Sequence, residues 1–414
     1  MKFVINNRVA LSQVPEGQLA DHLNALATFL SDQGYAPYTI HRQVYLAACF
    51  SRWLKQQGVA LQDVTFEHSK QFLRNRAQQL KPCRGDAAAL QHLIDFLCNE
   101  DVISVKKRSL PCLSPVECCV QGYEQYLREA RGLAETSIHN YVPFIRSFLE
   151  ARFGYGSVTL SDLSAQDVVG FVQCQASQLI RKRAKLMTSA LRSFLSYARY
   201  CGELTQDLAA AVPVVANWSM PTIPRAISTD QVKQLLDSID RRPAMGRRDY
   251  AILLLLARLG LRASEVAFLE LDDIDWQAGI LHVRGKGGHH NQFPLSAEVG
   301  EAIAAYLKNG RPKPKTHNRR LFLRAKAPVR GFRGPSAVSC IVRHSLERAA
   351  IDAPTFGAHQ FRHGLATEML CQGASLWEIG DILGHRHPQT TKIYTRVDLN
   401  ALRTLAQPWP GGAQ

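Results

Sequence analysis

The chain has 414 residues, 50 Lys+Arg against 35 Asp+Glu, and a formal net charge of +15 at pH 7. With 46% apolar and 21% charged side chains, that balance excludes a disordered or fibrous chain and predicts roughly two to four domains. The longest apolar run, Tyr250 to Ala257, is far too short to span a bilayer. No apolar signal stretch opens the chain, and its ten cysteines show no CxxC spacing. A basic, cytoplasmic protein with reduced thiols is expected, with no membrane partner.

In chain order, the first feature is a diverged internal repeat. GYAPYTIHRQVYLAACFSRWL (Gly34–Leu54) and ALQDVTFEHSKQFL (Ala60–Leu73) are followed about a hundred residues later by related segments. These are GLAETSIHNYVPFIRSFLEAR (Gly132–Arg152) and TLSDLSAQDVVGFV (Thr159–Val172). Gly34, Ala36, Ile40 and His41 align with Gly132, Ala134, Ile138 and His139, and Asp63 and Phe72 with Asp162 and Phe171. A third piece, Leu90–Ile103, matches Leu191–Leu204. The apolar spacing (Ile40, Val44, Ala47; Ile138, Val142, Ile145, Leu149) is helical. Each copy therefore reads as four or five short helices, with a Pro- and Ser-rich joint at Pro111–Pro115. A second linker, Val215–Arg225, holds two prolines and no periodicity.

Beyond it the pattern changes. Ser228 offers an N-cap for TDQVKQLLDSI, and RRDYAILLLLARLG reads as a buried helix stopping at Gly260. SEVAFLELDDID reads as another helix. GILHVRG, the Gly-rich turn KGGHH and NQFPLS then form a β-hairpin, and helix returns afterwards. Pro221–Gln414 carries +10 of the net charge, and eleven Lys/Arg stand between Glu301 and Glu347 without a carboxylate. Like charges at that density repel unless a polyanion screens them, so nucleic acid is the expected partner.

Four patterns of the last segment belong together. LGLRASEVAFLELDDID (Leu259–Asp275) sets Arg262 after Gly260, and VRGKGGHHNQFPL (Val283–Leu295) sets Lys286 on the hairpin tip. AHQFRHGLAT (Ala358–Thr367) holds His359 and Arg362 three apart, on one helical face. LGHRHPQTTKIYTRVD (Leu383–Asp398) puts His385 after a glycine stop and Tyr394 nine residues on. Taken singly, each residue has a plainer reading as a cap, a core side chain or a solvated cation. In this order the set is specific. Asp273 and Asp275, or His282, His289 and His290, offer only weak metal readings.

The set resembles the tyrosine recombinase (phage integrase) family over Ile227–Leu405, with Cys112–Val214 similar to that family's SAM-like core-binding domain. The resemblance implies a predominantly α fold with a small β-sheet in the catalytic domain (α+β). Four parts are implied: an N-terminal helical copy (1–110), a core-binding domain (111–216), a linker (217–226) and a catalytic domain (227–414). It also implies a site-specific recombinase of a mobile element, with double-stranded DNA as its partner, that works as a homo-oligomer, a tetramer on two sites, with companion recombinases as further partners. A short helix after Tyr394 is expected to reach a neighbouring protomer. A type IB topoisomerase and a catalytically silent DNA-binding protein are the alternatives.

By that resemblance Arg262, Lys286, His359, Arg362, His385 and Tyr394 form the active site, although HHNQ replaces the usual basic-acidic-basic stretch after Lys286. The residue types suit strand breakage. Tyr394 is the nucleophile, giving a 3′-phosphotyrosyl intermediate. The two arginines fork onto nonbridging oxygens. His359 accepts the tyrosine proton or bonds the phosphate, His385 donates to an oxygen, and Lys286 protonates the departing 5′ oxygen. Three cations take the place of metal ions, so no cofactor and no metal is expected.

Overall fold

The computed structural model describes residues 3–5, 9–11, 16–81, 83–103, 114–154, 156–215, 226–285, 290–313, 318–353, 355–385, 388–391 and 393–394. Lys286, His289, both linker cores and the segment after Tyr394 lie outside the described residues. The chain divides into two compact units, one of Met1–Ser104 with Pro221–Gln414 and one of Val105–Met220.

The first unit opens with two short antiparallel strands, β1 (Phe3–Ile5) and β2 (Val9–Leu11), with Phe3 opposite Leu11. Four helices follow: α1 (Leu23–Asp32), α2 (Pro37–Gln56), α3 (Phe66–Gln79) and α4 (Asp86–Asn99). Pro37 starts α2 with its φ already helical. A stripe of Ile40, Val44, Ala47, Phe50 and Leu54 then turns inward. Phe50, Trp53 and Phe72 close the core with ring centroids 5.2 to 6.0 Å apart.

In the same unit, α9 (Thr229–Asp237) starts on a cap in which Ser228 Oγ accepts from the Gln231 amide at 3.2 Å. Helix α10 (Ala244–Arg258) is apolar nearly all round and runs through the core, with Ala251 to Ala257 all buried. Next come α11 (Ala263–Phe268) and an antiparallel sheet of β3 (Ile274–Asp275), β4 (Ile280–Arg284) and β5 (His290–Pro294), in that spatial order. Ile280 faces Pro294 and Arg284 faces His290. Helices α12 (Ala297–Asn309), α13 (Pro335–Arg348), α14 (His359–Cys371), α15 (Leu376–Ile382) and α16 (Pro388–Thr391) complete it.

The second unit holds α5 (Pro115–Glu129), α6 (Glu135–Phe153), α7 (Ala165–Gln178) and α8 (Arg181–Tyr200) around Tyr123, Phe148 and Phe194.

Two expectations change. SEVAFLELDDID is not one helix but α11, a 3-10 turn (Leu271–Asp273) and β3. The backbone at 269–271 bonds across the fold: Leu271 N donates to Arg319 O at 2.9 Å, and Leu321 N to Leu269 O at 2.8 Å. Asp273 accepts from the Glu270 amide at 2.8 Å, a local bond that competes with helix. Asp275 accepts from the amides of Gln277 and Ala278, so both aspartates have structural work.

Nor is the cationic block all free surface. The Arg311 guanidinium ties the carbonyls of Asn318, Arg320 and Leu321 together. Arg319 pairs with Asp272, Arg320 with Glu270 and Arg343 with Glu347. One further part of the block meets the N-terminal bundle, where the Val329 amide donates to Gln33 O at 2.9 Å. Gly34, at φ +79°, lies against the Val329 side chain.

Candidate active site

The geometry starts at Gly260. Helix α10 ends at Leu259, and Gly260 takes φ +60°, a left-handed turn natural to glycine. A side chain there would crowd Leu365 and Leu383. The turn delivers Arg262 to the N-cap of α11, where Glu265 holds it twice. The Arg262 amide donates to Glu265 Oε2 at 2.7 Å, and Arg262 Nη1 donates to Oε1 at 2.6 Å. The Glu265 side chain is nearly closed from solvent while Arg262 stays partly open, so the guanidinium is oriented from below and presented above.

Arg362 is the keystone. It is 5% exposed, on the first turn of α14, and donates from Nη1 to Gly260 O at 2.8 Å and from Nη2 to Leu383 O. One side chain thereby ties the α10 stop to the α15 stop, which brings Arg262 and His385 to one place. Burial, then the neighbouring Arg262 charge, pushes the Arg362 guanidinium down to about 10. It is still a cation at neutral pH.

His385 follows Gly384, whose φ of +59° ends α15 as Gly260 ends α10. Its Nδ1 lies 2.8 Å from Thr391 Oγ1 on α16. Its ring stacks on Tyr394, with centroids 6.4 Å apart and planes within 8°. A side chain at Gly384 would collide with Asn291 of β5, so the strand β5 passes beside this turn. Tyr394 itself is 1% exposed.

The six expected residues thus divide. Arg262, His359, Arg362, His385 and Tyr394 share one pocket electrostatically: both arginines pull on the Tyr394 hydroxyl and on the rings of His359 and His385. Lys286 is outside the described residues. Burial raises the Tyr394 phenol, and the two arginines work against that rise. Burial and the same cations lower His359, and push His385 down to about 4. At neutral pH the phenol is protonated and the imidazoles are neutral.

Two residues escaped the sequence reading. Glu265 orients Arg262; its signal was the three-residue spacing to Arg262, typical of a box at a helix start. His363 is 3.0 Å from the Tyr394 hydroxyl through Nδ1. Its signal was weaker, a second histidine one helical turn after His359.

Residues 225–400 match the phage integrase family, and residues 120–200 match that family's N-terminal SAM-like domain. The chain belongs to the phage integrase family of tyrosine recombinases and is a site-specific DNA recombinase, an enzyme that breaks and rejoins DNA strands.

"Putative integrase/recombinase y4rA" of Sinorhizobium fredii is 56% identical over 414 residues, covering 100% of both chains. Tyrosine recombinase XerC of Anoxybacillus flavithermus is 32% identical over 289 residues, covering 67% of this chain and 93% of its own. Among solved structures, XerH recombinase bound to palindromic difH has a TM-score of 0.55 at 19% identity, covering 70% of this chain and 84% of that one. A lambda integrase dimer on a COC′ core site has a TM-score of 0.52 at 17% identity, covering 71% and 97%. These two share the fold.

Proposed function

We propose that Tyr394 attacks a scissile DNA phosphate held by Arg262 and Arg362 on its two nonbridging oxygens. The attack forms a bond from Tyr394 Oη to the 3′ phosphate and releases a 5′ hydroxyl. Two fixed guanidiniums stabilise the charge that grows on the phosphoryl oxygens, and they need no reorganisation at the moment of reaction. Neutral His385 has one ring N–H to give. If Nδ1 accepts from Thr391, that proton sits on Nε2 and can reach a phosphate oxygen. Lys286 protonates the departing 5′ oxygen. His359, at the start of α14, bonds the phosphate. The reaction runs without a metal or cofactor.

The observation that carries this reading is the double anchoring of Arg362 to the Gly260 and Leu383 carbonyls, which joins the arginine and tyrosine arms of the site. A suicide substrate, whose nicked 5′ fragment diffuses away after cleavage, tests it. Wild-type protein should form a covalent complex in EDTA, and Tyr394→Phe should form none while keeping its DNA affinity within a few-fold. Covalent trapping by the Phe variant, or loss of cleavage on chelation, overturns the reading. For Lys286→Ala, a 5′-bridging sulfur should restore much of the lost rate, because a thiolate leaves without a proton. No rescue would reduce Lys286 to a phosphate contact.

At larger scale, the proposed division is a helical copy at 1–110, a core-binding domain at 111–216, a linker and a catalytic domain from 227. The enzyme acts in the cytoplasm for a mobile element, as a tetramer on two sites, with companion recombinases as partners. Assembly on DNA is supported by the lambda integrase dimer on a COC′ core site, a solved structure similar in fold. Strand exchange between two sites, absent from a topoisomerase, is the assay that decides.

A further inference from the structure

His363 is the hydrogen-bond partner that the described residues provide for the Tyr394 hydroxyl. We propose that His363, and not His359 or His385, is the general base that takes the Tyr394 proton during cleavage. The inference rests on the reading of Tyr394 as nucleophile. In the step, the phenol proton passes to His363 Nδ1 and the Tyr394 Oη–phosphorus bond forms. The bond from phosphorus to the 5′ oxygen breaks, and that oxygen takes a proton from Lys286. On rejoining, the imidazolium of His363 returns its proton to the departing phenolate.

Among the described residues, neither of the two other histidines bonds the Tyr394 hydroxyl. The His385 ring lies parallel to the Tyr394 ring. Its nitrogen lone pairs point within its own plane, while the phenolic oxygen lies in the plane stacked against it. Its Nδ1 is already engaged by Thr391. His359 stands one turn before His363 on α14, with the two ring centroids 6.5 Å apart. The His363 ring meets Tyr394 edge-on at 5.7 Å, the orientation that brings an in-plane lone pair to the hydroxyl.

A base is needed here. The phenol is buried, so bulk water is not at hand to receive its proton. His363 is also in the right form to accept. It is more than half enclosed, and burial, then His359 and Arg362, hold it below the usual imidazole range. Around it, His359 and Arg362 share its helix, and His385 and Tyr394 come from the C-terminal turns. The neighbouring residue Gly364 packs on the backbone of Ile227 before α9. Arg258, at the end of α10, is taken up by Glu298.

The test is single-turnover formation of the covalent complex on a suicide substrate across pH, with His363→Asn and His363→Ala. Asn places an accepting oxygen near the position of Nδ1 but cannot hold a proton, so it separates positioning from base catalysis. For His363→Asn we expect DNA binding within a few-fold of wild type and cleavage slowed by roughly 10²–10⁴-fold at neutral pH. The rate should climb as pH rises toward phenol ionisation, and a fluorinated tyrosine at 394, more acidic than tyrosine, should recover much of it. His359→Gln should keep the wild-type pH profile. A His363→Asn variant as fast as wild type, with the same pH profile, overturns the proposal, as does an absence of recovery with fluorotyrosine. If His363→Ala fails to fold, the Asn variant alone still decides. Tyr394→Phe in the same assay separates the two readings: a dead Phe variant beside a normal Asn variant sinks only the role of His363.

Discussion

The two helical bundles are built to one plan and differ most at the start of the last helix. In each, a glycine with positive φ (Gly34 at +79°, Gly132 at +56°) precedes the second helix. Of the eight buried positions of α2, six, Ile40, Val44, Leu46, Ala47, Phe50 and Ser51, have buried counterparts 98 residues further on in α6. Thr65 and Ser164 open α3 and α7 with matching capping boxes. Leu90, Leu93, Ile94 and Leu97 of α4 correspond to the buried Leu191, Phe194, Leu195 and Ala198 of α8. The start of the last helix is where they part. Helix α8 begins with Arg181, Lys182, Arg183 and Lys185, and among the described residues none of these is paired with a carboxylate. Helix α4 begins later, after Gly85 at φ +106°, and Arg42 pairs with its first residue, Asp86, at 2.8 Å. Lys55 and Lys70 of the first bundle are likewise paired, with Glu16 and Glu67. A shared core with different helix starts separates what folding requires from what a polyanion requires.

That contrast can be broken at the core first. Phe50→Ala and Phe148→Ala each remove a fully buried ring and should each cost roughly 3–5 kcal/mol. Calorimetry should show the Phe148 variant melting the second unit early, and the Phe50 variant the first. One transition shifted equally by both would mean that the bundles do not unfold separately.

A smaller effect tests the charged turn. Changing Arg181, Lys182, Arg183 and Lys185 to Ala should flatten the dependence of log affinity on log salt by roughly three to four charges, if each contacts phosphate. Arg42→Ala and Lys55→Ala should leave that slope unchanged, since these cations already face carboxylates. Equal slopes from the two sets would erase the difference drawn between the bundles.

Removing residues 1–104 should leave single-site cleavage within a few-fold and shorten the DNase footprint, if the first bundle reaches flanking DNA. An intact footprint with lost assembly would assign it to protein contact instead. The gentlest probe is Gly34→Val. A left-handed residue with a branched side chain costs roughly 1–2 kcal/mol, and its Cβ would press on Val329. Proteolysis should then reach the 324–330 turn sooner than in wild type, with cleavage activity retained.

Much of this was written locally. Helical period, capping residues and glycine stops depend on neighbours within about five positions, so both bundles, the hairpin and the stops at Gly260 and Gly384 were legible. The helix read through Ser264–Asp275 was not. Its break depends on hydrogen bonds to residues 319–321, some fifty positions away. The same distance hid how the cationic block is used, since Asp272 and Glu270 reach Arg319 and Arg320 only after folding.

The order of Arg262, His359, Arg362, His385 and Tyr394 as a proposed site was legible in the sequence alone, because residue type and order survive without knowledge of packing. Tertiary structure alone decided which histidine meets the tyrosine. His359 and His363 lie one turn apart on the same helix and are chemically identical on paper. The bonds from Arg362 to the Gly260 and Leu383 carbonyls draw the C-terminal turns against α14. They leave the Tyr394 hydroxyl 3.0 Å from His363 Nδ1. A hydrogen bond falls off within a few tenths of an ångström, and no local pattern specifies a position that finely.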